Sequence, residues 1–124
     1  MPQVLVVDDE ENQLKALAIG LRSNGFEVAV AATSLDALRA LAARHVDLAL
    51  IDLMMPGLNG LELARQIRTS YPGVRVVLSS AYHLSARQVE RADCGAVGFV
   101  PKPYCLSDLC EFLHSKAKPI PAAC

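Results

Sequence analysis

The sequence predicts a doubly wound α/β sandwich, one parallel sheet with helices on both faces, and three observations lead there. Five short apolar runs are continuous rather than alternating, as strands covered on both faces require. Longer stretches between them carry apolar residues at helical spacing. Strand and helix alternate from end to end, and right-handed crossovers then make the sheet parallel.

The first strand is Val4 to Val7. Leu14, Leu17, Ala18 and Leu21 follow at i, i+3, i+4 and i+7 with Gly25 as the stop, so the first helix covers about residues 10 to 24. A second strand runs from Val28 to Ala31. Thr33 and Asp36 then have the form of a capping box, and Leu35, Leu38, Leu41 and Ala42 mark one face of the second helix. The third strand is Leu48 to Ile51, and the third helix runs from near Gly60 to Ser70, before Pro72 and Gly73. Val74 to Leu78 form the fourth strand, His83 to Cys94 a fourth helix that stops at Gly95, and Val97 to Val100 the fifth strand. In the last helix Leu106, Leu109, Cys110 and Leu113 repeat the i, i+3, i+4, i+7 pattern. The closing "KAKPIPAAC" reads as a linker or frayed end, so the expected division is a domain over 1–117 and a tail over 118–124.

Composition narrows the function classes. At 124 residues and 52% hydrophobic the chain suits one domain with a sizeable core. Twelve Lys and Arg against 13 Asp and Glu give a net charge of −1, and no basic run offers a footprint for nucleic acid. The apolar runs fall far short of the roughly 18 to 20 residues that span a bilayer, and the N-terminus has no signal-like segment. These features read as cytoplasmic. Cys94, Cys105, Cys110 and Cys124 form no CxxC pair and lie at no zinc-ligand spacing, so they read as reduced structural thiols. His45, His83 and His114 are expected at the surface.

In a doubly wound sheet, ligands bind beyond the carboxyl ends of the strands. The first strand delivers Asp8 and Asp9 there, the third Asp52, the fourth Ser79 and Ser80, and the fifth Lys102 between two prolines. Carboxylates about 4 Å apart repel by on the order of 4 kcal/mol per pair at an effective dielectric of about 20. Lys102 alone does not offset three acids, whereas an all-oxygen donor set suits a hard ion such as Mg²⁺, with Mn²⁺ as a substitute. Flanked by a metal and an amine, Asp52 is placed to attack phosphorus and form an aspartyl phosphate. Taken singly these residues have plainer readings. Asp8 and Asp9 suit helix capping, Asp52 a turn before Pro56-Gly57, and Ser79 and Phe99 core packing. Glu10 and Glu11 read as first-turn acids.

Four segments in order, "VLVVDDEEN", "LALIDLMMPGLNGLEL", "RVVLSSAY" and "CGAVGFVPKPY", together resemble the receiver domains of two-component response regulators over about residues 3 to 117. The resemblance implies a flavodoxin-like (βα)5 fold, a three-layer sandwich with strand order 2-1-3-4-5. It implies that Asp52 is the phosphoacceptor and that Asp9 binds Mg²⁺ directly and Asp8 through water. Asp52 and the backbone carbonyl of Met54 would complete the metal's protein ligands. Ser80 resembles the switch hydroxyl, Lys102 its lysine partner and Phe99 the aromatic switch, and Lys102-Pro103 matches the family's dipeptide.

Implied with these roles are a phosphodonor, either a sensor histidine kinase or a histidine phosphotransfer protein, and an unidentified output partner or effector domain. The responding surface would be the fourth helix, fifth strand and fifth helix, which would also serve a homodimer. Such a module catalyses only its own phosphoryl transfer and dephosphorylation. Met54 and Tyr82 stand where receivers govern water access to the phosphate, and neither offers an amide or carboxylate to orient an attacking water, so slow self-dephosphorylation is expected. Two rival readings are a metal-dependent phosphotransferase or phosphatase and a receiver-like interaction module that needs no phosphorylation. Against the former stand Met54, where such enzymes carry a second acid, and a chain too short for a substrate cap.

Overall fold

Val4, Leu5, Val6 and Val7 are each at most 1% exposed, and successive residues enter different cores. Val4 and Val6 join one apolar cluster, and Leu5 and Val7 join another on the opposite face. This double burial is why the run is continuous. The computed structural model describes residues 2–52, 54–55, 58–80, 96–101 and 105–117.

The central sheet contains β1 (Gln3–Val7), β2 (Glu27–Ala31), β3 (Leu48–Asp52), β6 (Arg75–Ser80) and β7 (Ala96–Pro101) in the order β2-β1-β3-β6-β7, every neighbouring pair parallel. Its first four strands thus have the flavodoxin-like order 2-1-3-4, and β7 pairs with β6 at the far edge. Helix α1 (Glu11–Ser23) and the C-terminal helix (Leu106–Ala117) cover one face through Leu14, Leu17, Leu21, Leu109 and Leu113. Helices α2 (Ser34–Ala43) and α3 (Gly60–Ser70) cover the other through Ala37, Leu41, Leu63, Ala64 and Ile67. The expected fourth helix lies outside the described residues.

Local signals place most boundaries. Helix α1 ends in a Schellman arrangement: the Gly25 N–H reaches the Arg22 carbonyl at 3.4 Å and the Phe26 N–H the Leu21 carbonyl at 3.1 Å. Gly25 supplies the left-handed φ of 89° that this stop requires. At the start of α2 the Thr33 hydroxyl accepts the Asp36 N–H at 3.1 Å, half of the expected capping box.

Four expectations need correction. Ala37 and Leu41, with Leu38 beside them, form the buried stripe of α2, while Leu35 and Ala42 face out. Val30 is 46% exposed, because β2 is an edge strand that the sheet covers less completely. His114 is half-buried, stacked on Phe26 at 4.1 Å between ring centroids, with Nε2 3.0 Å from the Asn24 carbonyl. Finally, β4 (Met54–Met55) and β5 (Leu58–Asn59) make a small antiparallel ladder where no element was expected.

Candidate functional site

β1 and β3 run side by side with Val7 aligned to Ile51, so the next residues, Asp8 and Asp52, emerge together at the carboxyl edge. The Asp8 N–H donates to the Ala31 carbonyl at 3.1 Å, which carries the β1–β2 alignment one residue past the strand. Asp52 closes β3 and is aligned with Ser79 of β6. Asp8 is 3% exposed and Asp52 7%, whereas Asp9 is open to solvent. One carboxylate oxygen from each of the three lies within 4.8 Å of the others.

Part of the capping reading holds for Asp8, whose Oδ1 accepts the Glu10 N–H at 3.0 Å and turns the chain into α1. Neither Asp8 nor Asp9 is the N-cap, however. That position is Glu10, which makes no side-chain cap bond. Glu11 lies in the first helical turn, as expected.

Three carboxylates this close repel by about 4 kcal/mol per pair at an effective dielectric of about 20, a cost that a divalent cation removes. The donors are oxygen only, which suits a hard ion. Two are buried and fixed by the strand ends and the third faces water, so an ion held here keeps positions open for water or phosphate oxygen. On donor chemistry and spacing the residues fit Mg²⁺. Among the described residues this is the only such group of three ligating side chains.

The remaining candidates fall as follows. Ser80 is the last residue to pair along β6 and β7, aligned with Pro101, and it follows the Ser79 that faces Asp52 in register. Phe99 lies on β7 opposite Leu78. Met54 pairs with Asn59, so strand bonding sets its backbone two residues beyond Asp52. Lys102, Pro103, Tyr82, His83, Cys94 and Cys124 lie outside the described residues. Ser79 is buried at 2% exposure, in keeping with a core role. Cys105 and Cys110 are free thiols, the first exposed and the second buried. Hydrogen bonding by the Ser107 hydroxyl and nearby backbone lowers the pKa of Cys105, and burial raises that of Cys110.

The sequence reading missed a network at the opposite edge of the sheet. There Asp47 accepts the Gln3 N–H at 2.8 Å and pairs with His45 Nε2 at 2.8 Å. Burial pushes the Asp47 carboxyl up, but Gln3 and His45 outweigh this and hold it below its ordinary value of 3.8. His45 and Asp47 two residues apart are the only local trace of it, since Gln3 comes from another strand.

Residues 4–114 match the response regulator receiver domain family. Over 124 residues the chain is 32% identical to response regulator MprA of Mycobacterium bovis (strain BCG / Pasteur 1173P2), an alignment covering 98% of this chain and 54% of that protein. MprA of Mycobacterium sp. (strain KMS) is 34% identical over 107 residues, 86% of this chain and 46% of the relative. The chain thus spans about half the length of these curated relatives. A CheY-like receiver domain protein of Methanospirillum hungatei JF-1 superposes with TM-score 0.86 at 28% identity, covering 94% of each chain. Response regulator TrrA of Thermotoga maritima, solved in complex with Mg²⁺-BeF, gives TM-score 0.82 at 31% identity over 94% of this chain and 99% of that one.

This chain belongs to the response regulator receiver domain family of two-component signalling. Receivers are signalling modules rather than conventional enzymes, and phosphorylation and Mg²⁺ at the acidic pocket are typical of them. No helix among the described residues is long and apolar enough to cross a membrane.

Proposed function

We propose that this chain is a phosphoacceptor receiver in which Asp52 takes a phosphoryl group from a phosphohistidine of a sensor kinase or phosphotransfer protein. The observation that carries this is the meeting of Asp8, Asp9 and Asp52 oxygens within 4.8 Å at the carboxyl edge of the sheet. The domain is residues 1–117, with 118–124 as a tail or linker, and it acts in the cytoplasm.

An Asp52 oxygen attacks phosphorus as the P–N bond breaks; the electron pair leaves with the imidazole nitrogen, which takes a proton from solvent. Asp9 would hold Mg²⁺ directly and Asp8 through water, with Asp52 and the Met54 carbonyl completing the set; the ion, when bound, offsets charge on the incoming phosphoryl oxygens. Asp8, fixed by the Glu10 amide, keeps one ligand in place whether or not the pocket is loaded. Ser80 and Lys102 then bond the new phosphoryl group, and Phe99 turns inward as Ser80 moves. The responding surface is the segment before β7, β7 itself and the C-terminal helix, read by an effector domain or partner, or paired with a second copy. That TrrA was solved in complex with Mg²⁺-BeF supports Mg²⁺ binding here.

Acetyl phosphate with Mg²⁺ tests this reading. Intact-mass analysis should show one added phosphoryl group, absent in Asp52→Asn and absent when EDTA replaces Mg²⁺. An unmodified wild-type chain would instead favour an interaction module that works without phosphorylation.

A further inference from the structure

A concavity lies at the opposite edge of the sheet from Asp52. It has a volume of about 290 Å³ and opens between the end of α2 and the α3–β6 turn. That approaches the lower end, about 300 Å³, of small-molecule sites. Leu41 and Val46, at 6% and 4% exposure, form an apolar floor, and half-buried Val74 and Tyr71 form a wall. Arg44 stands at the rim.

The walls are held before any ligand arrives. Val74 N–H donates to the Tyr71 carbonyl at 2.9 Å, closing the turn, and Arg75 N–H donates to the Asp47 carbonyl at 3.0 Å, tying that turn to the strand after α2. His45 also lines the cavity, but its Nε2 is committed to Asp47 at 2.8 Å. Among the described residues Arg44 makes no side-chain hydrogen bond or ion pair. One uncommitted arginine lining a cavity with apolar residues and a tyrosine matches a single carboxylate on a flat apolar body, because the planar fork suits a carboxylate. A dianion or polyphosphate would need more positive charge than Arg44 provides.

We propose that this cavity binds a small aromatic monocarboxylate, its carboxylate on Arg44 and its ring on Leu41, Val46, Tyr71 and Val74. The site is independent of the phosphoacceptor reading and stands even if Asp52 is never modified.

Gly73 supplies the control. It lines the cavity, and a Cβ built there meets no atom within 4 Å, so a larger side chain enters open space rather than the core. Phenylacetate is the probe, titrated into ¹⁵N-labelled protein, with acetate and benzyl alcohol as partial probes. Saturable amide shifts confined to residues 41–46 and 71–75 are expected, with acetate and benzyl alcohol at least about tenfold weaker. Arg44→Gln should weaken phenylacetate about tenfold, and Gly73→Phe should abolish the shifts while leaving the rest of the spectrum in place. No saturable shift at millimolar phenylacetate, shifts centred on Asp8 and Asp52, or equal binding by Gly73→Phe would each overturn the proposal. Should Gly73→Phe misfold, Gly73→Val repeats the block with a smaller side chain.

Discussion

Asp8 and Asp52 emerge from adjacent parallel strands, one residue past the aligned pair Val7 and Ile51, and both carboxylates are more than nine-tenths buried within 4.8 Å of Asp9. The fold thus holds like charges together at the sheet edge, where a bound cation would offset their repulsion.

Neutralising one of these acids should therefore stabilise the metal-free protein. Asp8→Asn, which keeps an oxygen to accept the Glu10 N–H, should gain about 1–3 kcal/mol in urea unfolding with EDTA present. Mg²⁺ should stabilise the wild type and have little effect on the variant. A variant less stable than wild type without metal would mean that the acids do not repel as placed.

Two glycines should respond differently to alanine. Gly25 has φ 89°, and only His114 Cε1, at 4.0 Å, lies near its missing Cβ, so Gly25→Ala should cost about 1 kcal/mol through backbone strain rather than collision. At Gly20 a Cβ would meet Leu106 Cδ2 at 2.6 Å, but Leu106 is 39% exposed and can swing away. The helix-propensity gain of up to about 1 kcal/mol should then leave Gly20→Ala near neutral. Thermal melts of the two variants decide this.

Stability should depend on pH through Asp47. Its folded pKa lies below 3.8, so its contribution is present above that value and is lost as pH falls through the lower folded value. The wild type should exceed Asp47→Asn in melting temperature near about pH 6, and the gap should narrow toward about pH 3. A gap that stays constant over this range would remove Asp47 from the account.

If Asp52 is phosphorylated as proposed, the phosphoryl group should be long-lived, because neither Met54 nor Tyr82 offers an amide or carboxylate to orient an attacking water. Met54→Asn and Tyr82→Glu, singly and together, should shorten it, by about tenfold for the pair. Loss of ³²P label after removal of phosphodonor measures this, and unchanged decay in all three variants would refute the idea.

What the sequence made legible follows from where each signal is stored. The β1 run was plain because alternate residues enter two apolar cores, leaving no polar face to blur it. The buried stripe of α2 was not, since Leu35, Leu38 and Ala42 compete with Ala37 and Leu41 for the same helical period, and only the sheet beneath selects between them. Val30 reads as a core strand residue until strand order puts β2 at an edge. Two-residue strands such as β4 and β5 have no period to detect. The His114–Phe26 stack joins distant parts of the chain and leaves no local trace.

The acidic site was legible for a different reason. Locally, Asp8 could serve as a turn acid, and it does bond the Glu10 amide. The metal-binding role proposed for it depends on β3 lying next to β1, a relation fixed by parallel strand order and expressed in the Val7–Ile51 alignment. Lys102 rested on its place after the fifth strand and on the motif, and falls outside the described residues.

Borohydride trapping of the acyl phosphate tests the central claim most directly. After acetyl phosphate and Mg²⁺, reduction converts a phosphorylated aspartate to homoserine, which peptide mapping locates. The account predicts homoserine at position 52 alone; homoserine at position 8 or 9, or at none of the three while phosphate is incorporated, would contradict it.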